Sequence, residues 1–233
     1  MTTQIYGKPL KGVFFDMDGV LYDSMKNHAL SWEKAMAEFG IHYPQYYSYL
    51  NEGRTSKSTI NWAFNKMLNR NATTDEIDKI YELKTSLMSK LPTPLMFDNI
   101  DHFIADLKTN GVQVMIVTGS NQKSLIDRIQ NDFNITKDFI IAGADVSIGK
   151  PHPEPYLKAL ERSGLSKENV IIIENAPLGI QSAKAAGVYT VAVNTGLLKN
   201  DILKSSGADL VIDSISELIN NWQRIINNYN SKF

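Results

Sequence analysis

The sequence predicts an α/β protein: a doubly wound parallel sheet of Rossmann-like type, interrupted after its first strand by an all-helical insertion. Three observations carry this expectation. Short apolar runs without polar alternation, at 13–15, 112–117, 139–142, 170–173, 190–193 and 209–212, read as buried strands. After residue 92 these runs alternate with stretches of helical spacing, the pattern that gives a parallel sheet. From about Asp23 to Leu91, helical periodicity prevails and β-branched runs are scarce.

Taken in order, Val13-Phe14-Phe15 forms the first strand and ends abruptly in Asp16-Met17-Asp18-Gly19. The helical insertion follows. Ala29, Trp32, Ala35, Met36 and Phe39 mark one helix, which Gly40 is placed to end. Ile60, Ala63, Phe64 and Met67 mark a second, and Ile77, Ile80, Leu83, Leu87 and Met88 a third that starts near Thr74. Pro92-Thr93-Pro94 breaks the chain. The expected division is a core of residues 1–22 and 92–233 with a helical cap domain at 23–91. A helix over Ile100–Leu107 closes at Asn110-Gly111, and Thr118-Gly119-Ser120 follows the next strand directly. Helices are then expected from about Gln122 to Asn131, from Pro153 to Arg162, from Pro177 to Gly187, near 198–204, and at the end of the chain.

The bulk numbers narrow the function. At 233 residues the chain suits a main domain with a modest insertion, and 43% hydrophobic with 21% charged residues describes an ordinary globular protein. A net charge of -1 makes no electrostatic case for nucleic acid or an anionic membrane as partner. The absence of cysteine excludes disulfides, thiolate metal sites and a cysteine nucleophile. Residues 1–8 lack the apolar core of a signal peptide, and no apolar run approaches the roughly 18 residues that span a membrane. The expectation is a cytoplasmic, monomeric enzyme.

The chemistry lies at the predicted strand ends, where open α/β sheets bind their ligands. Asp16 and Asp18 can reach one pocket, one carboxylate attacking while the other handles a proton, and both can help hold a divalent cation. Thr118 offers a hydroxyl, and Gly119 and Ser120 offer backbone N–H groups near a helix start, which suits a phosphate. The same three residues also suit a plain strand-to-helix turn with Ser120 or Asn121 as cap. Lys150, in a loop stiffened by Pro151, Pro153 and Pro155, can neutralise a phosphate and a nucleophilic carboxylate. Glu174-Asn175 follows four apolar β-residues, so its acid needs a cation or hydrogen bonds. It reads either as oxygen ligands for magnesium or as a cap on the next helix.

Asp16-Met17-Asp18-Gly19-Val20-Leu21, Thr118, Lys150 and Glu174-Asn175 together resemble the four motifs of the haloacid dehalogenase-like (HAD) phosphohydrolases. The resemblance spans nearly the whole chain and puts the helical segment where that family inserts its cap. It implies Asp16 as nucleophile, Asp18 as general acid/base, Thr118 and Lys150 on the transferring phosphoryl group, and Mg²⁺ as cofactor. Its metal ligands would be Asp16, the Asp18 backbone carbonyl, Glu174 and Asn175. Asp23-Ser24, His28, Gly149-Lys150-Pro151-His152-Pro153-Glu154-Pro155-Tyr156 and the 176–187 segment resemble the beta-phosphoglucomutase-like branch. That branch contains sugar-phosphate mutases, sugar phosphatases and some inorganic pyrophosphatases. Two positions depart from many of its members: Asn175 stands where a second acid is common, and Ser56 stands where the mutases carry a cap arginine.

Glu52-Gly53-Arg54-Thr55, Lys84 and the 174–179 segment resemble the pyrophosphate-hydrolysing members instead. In those, the cap glutamate is a metal ligand and the cap lysine contacts substrate. The resemblance implies Glu52 as a further magnesium ligand, which restores the charge lost at Asn175 and leaves little room for a leaving group. Arg54 and Lys84 would bind substrate, and His28 would guide cap closure beside it. Pyrophosphate hydrolysis is therefore the leading expectation. The alternatives are a beta-phosphoglucomutase or sugar-phosphate phosphatase using the same Asp16, and a non-catalytic phosphate-binding protein, for which the proton-transfer acid Asp18 would be superfluous.

Overall fold

The computed structural model describes residues 10–120 and 123–232, so the expected cap at Asn121, the helix start at Gln122 and the leader reading of residues 1–8 lie outside the described residues. Strand β1 (Gly12–Phe15) is followed by helices α1 (Met25–Ala37), α2 (Gln45–Leu50), α3 (Ser56–Leu68) and α4 (Thr74–Ser89). Helix α5 (Ile100–Thr109), β2 (Gln113–Val117), α6 (Lys123–Phe133), β3 (Ile140–Ile141) and α7 (Glu154–Ser163) come next. The chain ends with β4 (Val170–Glu174), α8 (Pro177–Ala185), β5 (Tyr189–Val193), α9 (Asn200–Ser205), β6 (Leu210–Ile212), α10 (Ile215–Asn220) and α11 (Trp222–Asn230).

Among the described residues these strands form one six-stranded sheet in the order β3-β2-β1-β4-β5-β6. All its pairings are parallel. The chain builds outward from β1 to β3, then crosses back to lay β4 on the other side of β1. The strand order therefore reverses between β1 and β4, the position where such sheets hold ligands at their carboxyl ends. Central strands covered on both faces must be apolar throughout, which is why β1 and β4 are buried at every position. Val13, Phe15, Ile171 and Ile173 pack on α5, α10 and α11, while Phe14, Val170 and Ile172 face Tyr156 and Ala159 of α7.

The helical block has an apolar cluster of its own, in which Trp32, Met36, Tyr43, Ile60, Phe64 and Ile80 meet. A further cluster joins it to the sheet: Met25, Ala29 and Tyr49 pack with Ile180, Leu198 and Leu203. The two connecting segments run side by side, with Asp23 N donating to Leu95 O at 2.9 Å and Phe97 N to Leu21 O at 3.1 Å. None of the helices described is long and apolar enough to cross a membrane.

Several elements differ from expectation, each for a local reason. Helix α2 carries the tyrosine-rich segment Gln45–Leu50, whose aromatic residues show no helical spacing of aliphatics; Pro44 at its N-cap fixes the entry. Helix α4 starts at Thr74, as expected, and its cap is Thr73: Thr73 Oγ1 accepts from Glu76 N at 3.2 Å while Thr73 N donates to Glu76 at 2.8 Å, a reciprocal capping box. Strand β3 shrinks to two residues because tight 3₁₀ turns at Lys137–Phe139 and Gly143–Asp145 take up its flanks. The last helix is split at Asn221 into α10 and α11.

Asp209 ties the far edge of the sheet together. It accepts from Lys184 Nζ at 2.6 Å, from Thr190 N at 2.8 Å and from Lys232 near the end of α11. Burial raises its pKa, but the bonds from Lys184, Lys232 and the backbone outweigh it and hold the carboxyl below its ordinary value. A depressed folded-state pKa contributes stability above the unfolded value, and that contribution is lost as pH falls through the folded value. Asp209→Asn is therefore expected to lower the urea midpoint at neutral pH, with the gap to wild type narrowing below about pH 4.

Candidate active site

The site is built from the carboxyl ends of β1, β2 and β4 and from the loop between β3 and α7. Asp16 continues β1, its N–H donating to Ile173 O at 3.0 Å, so its side chain leaves the sheet beside β4. Gly19 then turns the chain at φ +81, and a Cβ there would lie 2.1 Å from Asn175 Nδ2. Only glycine satisfies both the left-handed backbone and that close approach. The turn brings Asp18 back over the strand ends. Its Oδ1 accepts from Ser24 Oγ at 2.5 Å and lies 3.4 Å from His28 Nε2. Burial raises the Asp18 pKa, but His28, Ser24 and Lys84 together hold it below the ordinary carboxylate value.

Lys150 is the hub. Its ammonium donates to Asp16 Oδ1 at 2.5 Å, to Glu174 Oε1 at 2.6 Å and to Val117 O at 3.2 Å. It is 5% exposed, and the two carboxylates hold its pKa well above normal against the opposing effect of burial. Burial pushes the Asp16 carboxyl up to about 8; Lys150 pulls against that rise, while Glu174 and Asp18 add to it. Glu174 is 1% exposed. Its Oε1 also accepts from Tyr156 Oη at 2.6 Å and its Oε2 from Asn175 N at 3.2 Å. The carboxylate packs against Gly179, where a Cβ would lie 2.0 Å from Oε1. Glu174, expected as a magnesium ligand, is thus bonded to Lys150, Tyr156 and its own following amide.

Among the buried oxygens of the described residues that lack a hydrogen-bond partner, two stand at the carboxyl ends of β1 and β4: Asp16 Oδ2 and Asn175 Oδ1. Unpaired buried oxygens are costly, and hard oxygen donors are what a magnesium-sized cation takes. With the adjoining Asp18 carbonyl, these residues fit such an ion. No cluster of three acidic or histidine side chains is preformed among the described residues. Magnesium does not require one, since it commonly uses one or two carboxylates and completes its shell with substrate and water.

The helical block closes over this floor. At Gly53, φ is +88 and a Cβ would meet Lys150 Cδ at 3.0 Å, while Gly53 O faces Gly119 and Gly149. The neighbouring Glu52 has its pKa raised well above normal, first by burial and then by the charges of Asp18 and Asp16. Glu52 lines the same cavity as Asp18, Lys84 and Lys150. Lys84 of α4 is buried, its ammonium 5.5 Å from the Trp32 ring centroid. Burial lowers its pKa while Asp18 and Glu52 pull it back up.

A cavity of about 550 Å³ lies between the two parts. It is lined by Asp18, His28, Glu52, Arg54, Lys84, Thr118, Gly119, Ser120 and Lys150, all named from the sequence. It also runs on past Tyr81, Met88, Pro94 and Arg128, so the leaving-group space is wider than the sequence suggested. Two further expectations change. The Ser120 amide, a candidate phosphate donor, instead donates to Thr118 Oγ1 at 3.1 Å. Arg54 Nε and Nη1 donate to Asn51 Oδ1 at 2.9 Å and Ser58 Oγ at 3.2 Å, which fixes the guanidinium within the cap loop.

Sequence reasoning did not single out the Tyr156 hydroxyl or Gly179. A glycine inside a helix is costly, so Gly179 signals a close approach; Tyr156 lies six residues after Lys150 with no comparable mark.

A family model described as haloacid dehalogenase-like hydrolase matches residues 13–193. The chain belongs to this family. As a HAD-like hydrolase it superposes on the solved structure of a "putative beta-phosphoglucomutase" from Bacteroides vulgatus with a TM-score of 0.90. The two are 40% identical, over 96% of this chain and 92% of that one. Phosphoglycolate phosphatase of Salmonella typhi is 24% identical over 235 residues, 90% of this chain and 91% of its own. A "putative pyrophosphatase PpaX" from Caldanaerobacter subterraneus is 32% identical over 124 residues, 52% of this chain and 56% of its own. The HAD-like relatives thus include both phosphatases and phosphomutases.

Removing the hub charge strands two buried carboxylates. Lys150→Met is expected to destabilise the fold by about 3–5 kcal/mol, the usual consequence of breaking a buried ion pair on one side. Urea denaturation at neutral pH measures it.

Proposed function

We propose that the protein is a Mg²⁺-dependent phosphohydrolase that forms an aspartyl-phosphate on Asp16, with inorganic pyrophosphate as substrate. The observation that supports the substrate choice is Glu52, which lines the cavity with Asp18, Lys84 and Lys150 on the loop whose Gly53 packs on Lys150, above a floor that has the amide Asn175 where the resembling branch commonly has an acid. Asp16, the Asp18 carbonyl and Asn175 would hold the cation from the core and Glu52 from the cap. When bound, Mg²⁺ supplies charge that offsets the phosphoryl oxygens and keeps the Asp16 carboxyl ionised.

The residues then divide the reaction. An Asp16 oxygen attacks phosphorus as the bond to the leaving phosphate breaks. Asp18 takes up a proton once the phosphate charge is bound beside it and gives that proton to the leaving oxygen, with Ser24 and His28 at its Oδ1. Thr118 and Lys150 hold the transferring phosphoryl group, while buried Lys84 faces the leaving phosphate from the cap. Water then attacks the phosphorus of phospho-Asp16, Asp18 takes the water's proton, and Asp16 is regenerated with release of the second phosphate. Gly53 against Lys150 makes the closed loop the wall that keeps bulk water out.

One observation favours a second reading. The cavity of about 550 Å³ is larger than two phosphates need, and a hexose phosphate would fill more of it. The Bacteroides vulgatus likeness supports the same alternative, a beta-phosphoglucomutase that returns the phosphoryl group to sugar.

A paired steady-state assay with Mg²⁺ separates the two. Pyrophosphate is expected to give much higher kcat/KM than beta-glucose 1-phosphate primed with glucose 1,6-bisphosphate. Rapid glucose 6-phosphate formation with little free phosphate would mean a mutase. Asp16→Asn is expected to abolish multiple turnover with either substrate. Glu52→Ala is expected to weaken Mg²⁺ binding in calorimetry and to cut pyrophosphate turnover at least about 100-fold, the scale on which supporting metal ligands act. Unchanged metal binding and turnover would remove the cap-ligand role.

A further inference from the structure

Tyr156 takes no part in the chemistry above, yet it is connected to it. It stands in the first turn of α7, fully buried, with its ring against Phe14 and Ile172 of the sheet. A phenylalanine would satisfy that packing. The hydroxyl is the unexplained part. It donates at 2.6 Å to Glu174 Oε1, the same oxygen that accepts from Lys150 Nζ at 2.6 Å. The Lys150 ammonium also lies 5.2 Å from the Tyr156 ring centroid, so the phenol borders both members of the ion pair.

Glu174 is enclosed on every side by this arrangement. Lys150 and Tyr156 hold Oε1, the Asn175 amide holds Oε2, and the bare Cα of Gly179 closes the remaining side. A carboxylate fixed in this way fixes its cation. Lys150 then has one direction left for Asp16, and it takes Oδ1, so that Oδ2 is the oxygen left unpaired. A buried side chain whose terminal torsion is free loses that definition, since rotation about a carboxylate's last bond is soft.

We propose that Tyr156 is a positioning residue: acting through Glu174 and Lys150, its hydroxyl sets which oxygen of Asp16 faces the reaction. This rests on Asp16 as phosphoryl acceptor and not on which compound delivers the phosphate. The chain of bonds spans four elements, with Tyr156 on α7, Glu174 on β4, Lys150 in the loop before α7, and Asp16 after β1.

The test is a double-mutant cycle of Tyr156→Phe and Glu174→Gln, with two readouts. The first is kcat and KM on pyrophosphate or any ester that the wild type hydrolyses. The second is the affinity for beryllofluoride with Mg²⁺, a phosphoryl mimic that adds to a reactive aspartate, followed by ¹⁹F NMR. Urea midpoints establish that each variant is folded. Tyr156→Phe is expected to lower kcat and beryllofluoride affinity about 10- to 100-fold with little change in KM, the scale of a small misplacement of a reacting group. The double variant is expected to be no worse than Glu174→Gln alone. Wild-type kcat and beryllofluoride affinity in folded Tyr156→Phe, or losses that multiply in the double variant, would overturn the proposal. Failure on pyrophosphate with intact beryllofluoride binding would count against the substrate reading alone.

Discussion

Everything at the carboxyl edge of the sheet depends on one buried ammonium. Lys150 satisfies its three donors with Asp16, Glu174 and the Val117 carbonyl, and so joins the ends of β1, β4 and β2. Taking these charges out of water is expensive, and their attraction repays it only when the geometry is close and every remaining group is paired. The surroundings are shaped to meet that condition. Tyr156 supplies the extra donor, Gly179 leaves room for the carboxylate, and Gly53 lets the cap loop approach the lysine stem. The same lysine leaves a single Asp16 oxygen unpaired, so an ion network that holds the strand ends together also sets out the reacting group.

Most of the fold was legible in the residues because its strands are the simplest kind to read. Val13–Phe15 and Val170–Ile173 are central, covered on both faces, and hence continuously apolar. The less legible elements are those fixed by tertiary context. Gln45–Leu50 becomes helical because Tyr47 packs within the helical block and Tyr49 against Ile180 and Leu198 of the core, not because of any aliphatic period. Residues 139 and 142 leave β3 because backbone turns on each side take them.

The site was legible in position and less so in pairing. Asp16, Asp18, Thr118 and Asn175 stand at strand ends in the sequence and Lys150 in the loop between β3 and α7, and the parallel topology gathers them. Sequence does not reveal how oxygens are shared. Glu174 reads equally well as a metal ligand or an ion-pair partner until the Tyr156 hydroxyl and the Gly179 gap are known. Ser120 reads as a phosphate donor until its amide is found on Thr118. Cavity size was the other hidden quantity, since it depends on how far α4 stands from the core, and no local pattern encodes that distance.

The charge balance gives the cap loop its importance. Asp16, Asp18, Glu52 and Glu174 bring four carboxylates toward the reaction centre, with Lys150 and Lys84 as buried lysines opposite them. A phosphate compound adds further negative charge, so closure of the loop brings like charges together unless a cation lies among them. On the proposed reading Glu52 makes closure conditional, since its carboxylate would join the others only with a cation among them. In a site where Asn175 contributes no charge, the cation would gain its second carboxylate only with the loop shut. Metal binding, loop closure and exclusion of water would then be one event, and the proposed phospho-Asp16 would form where bulk water has already been excluded.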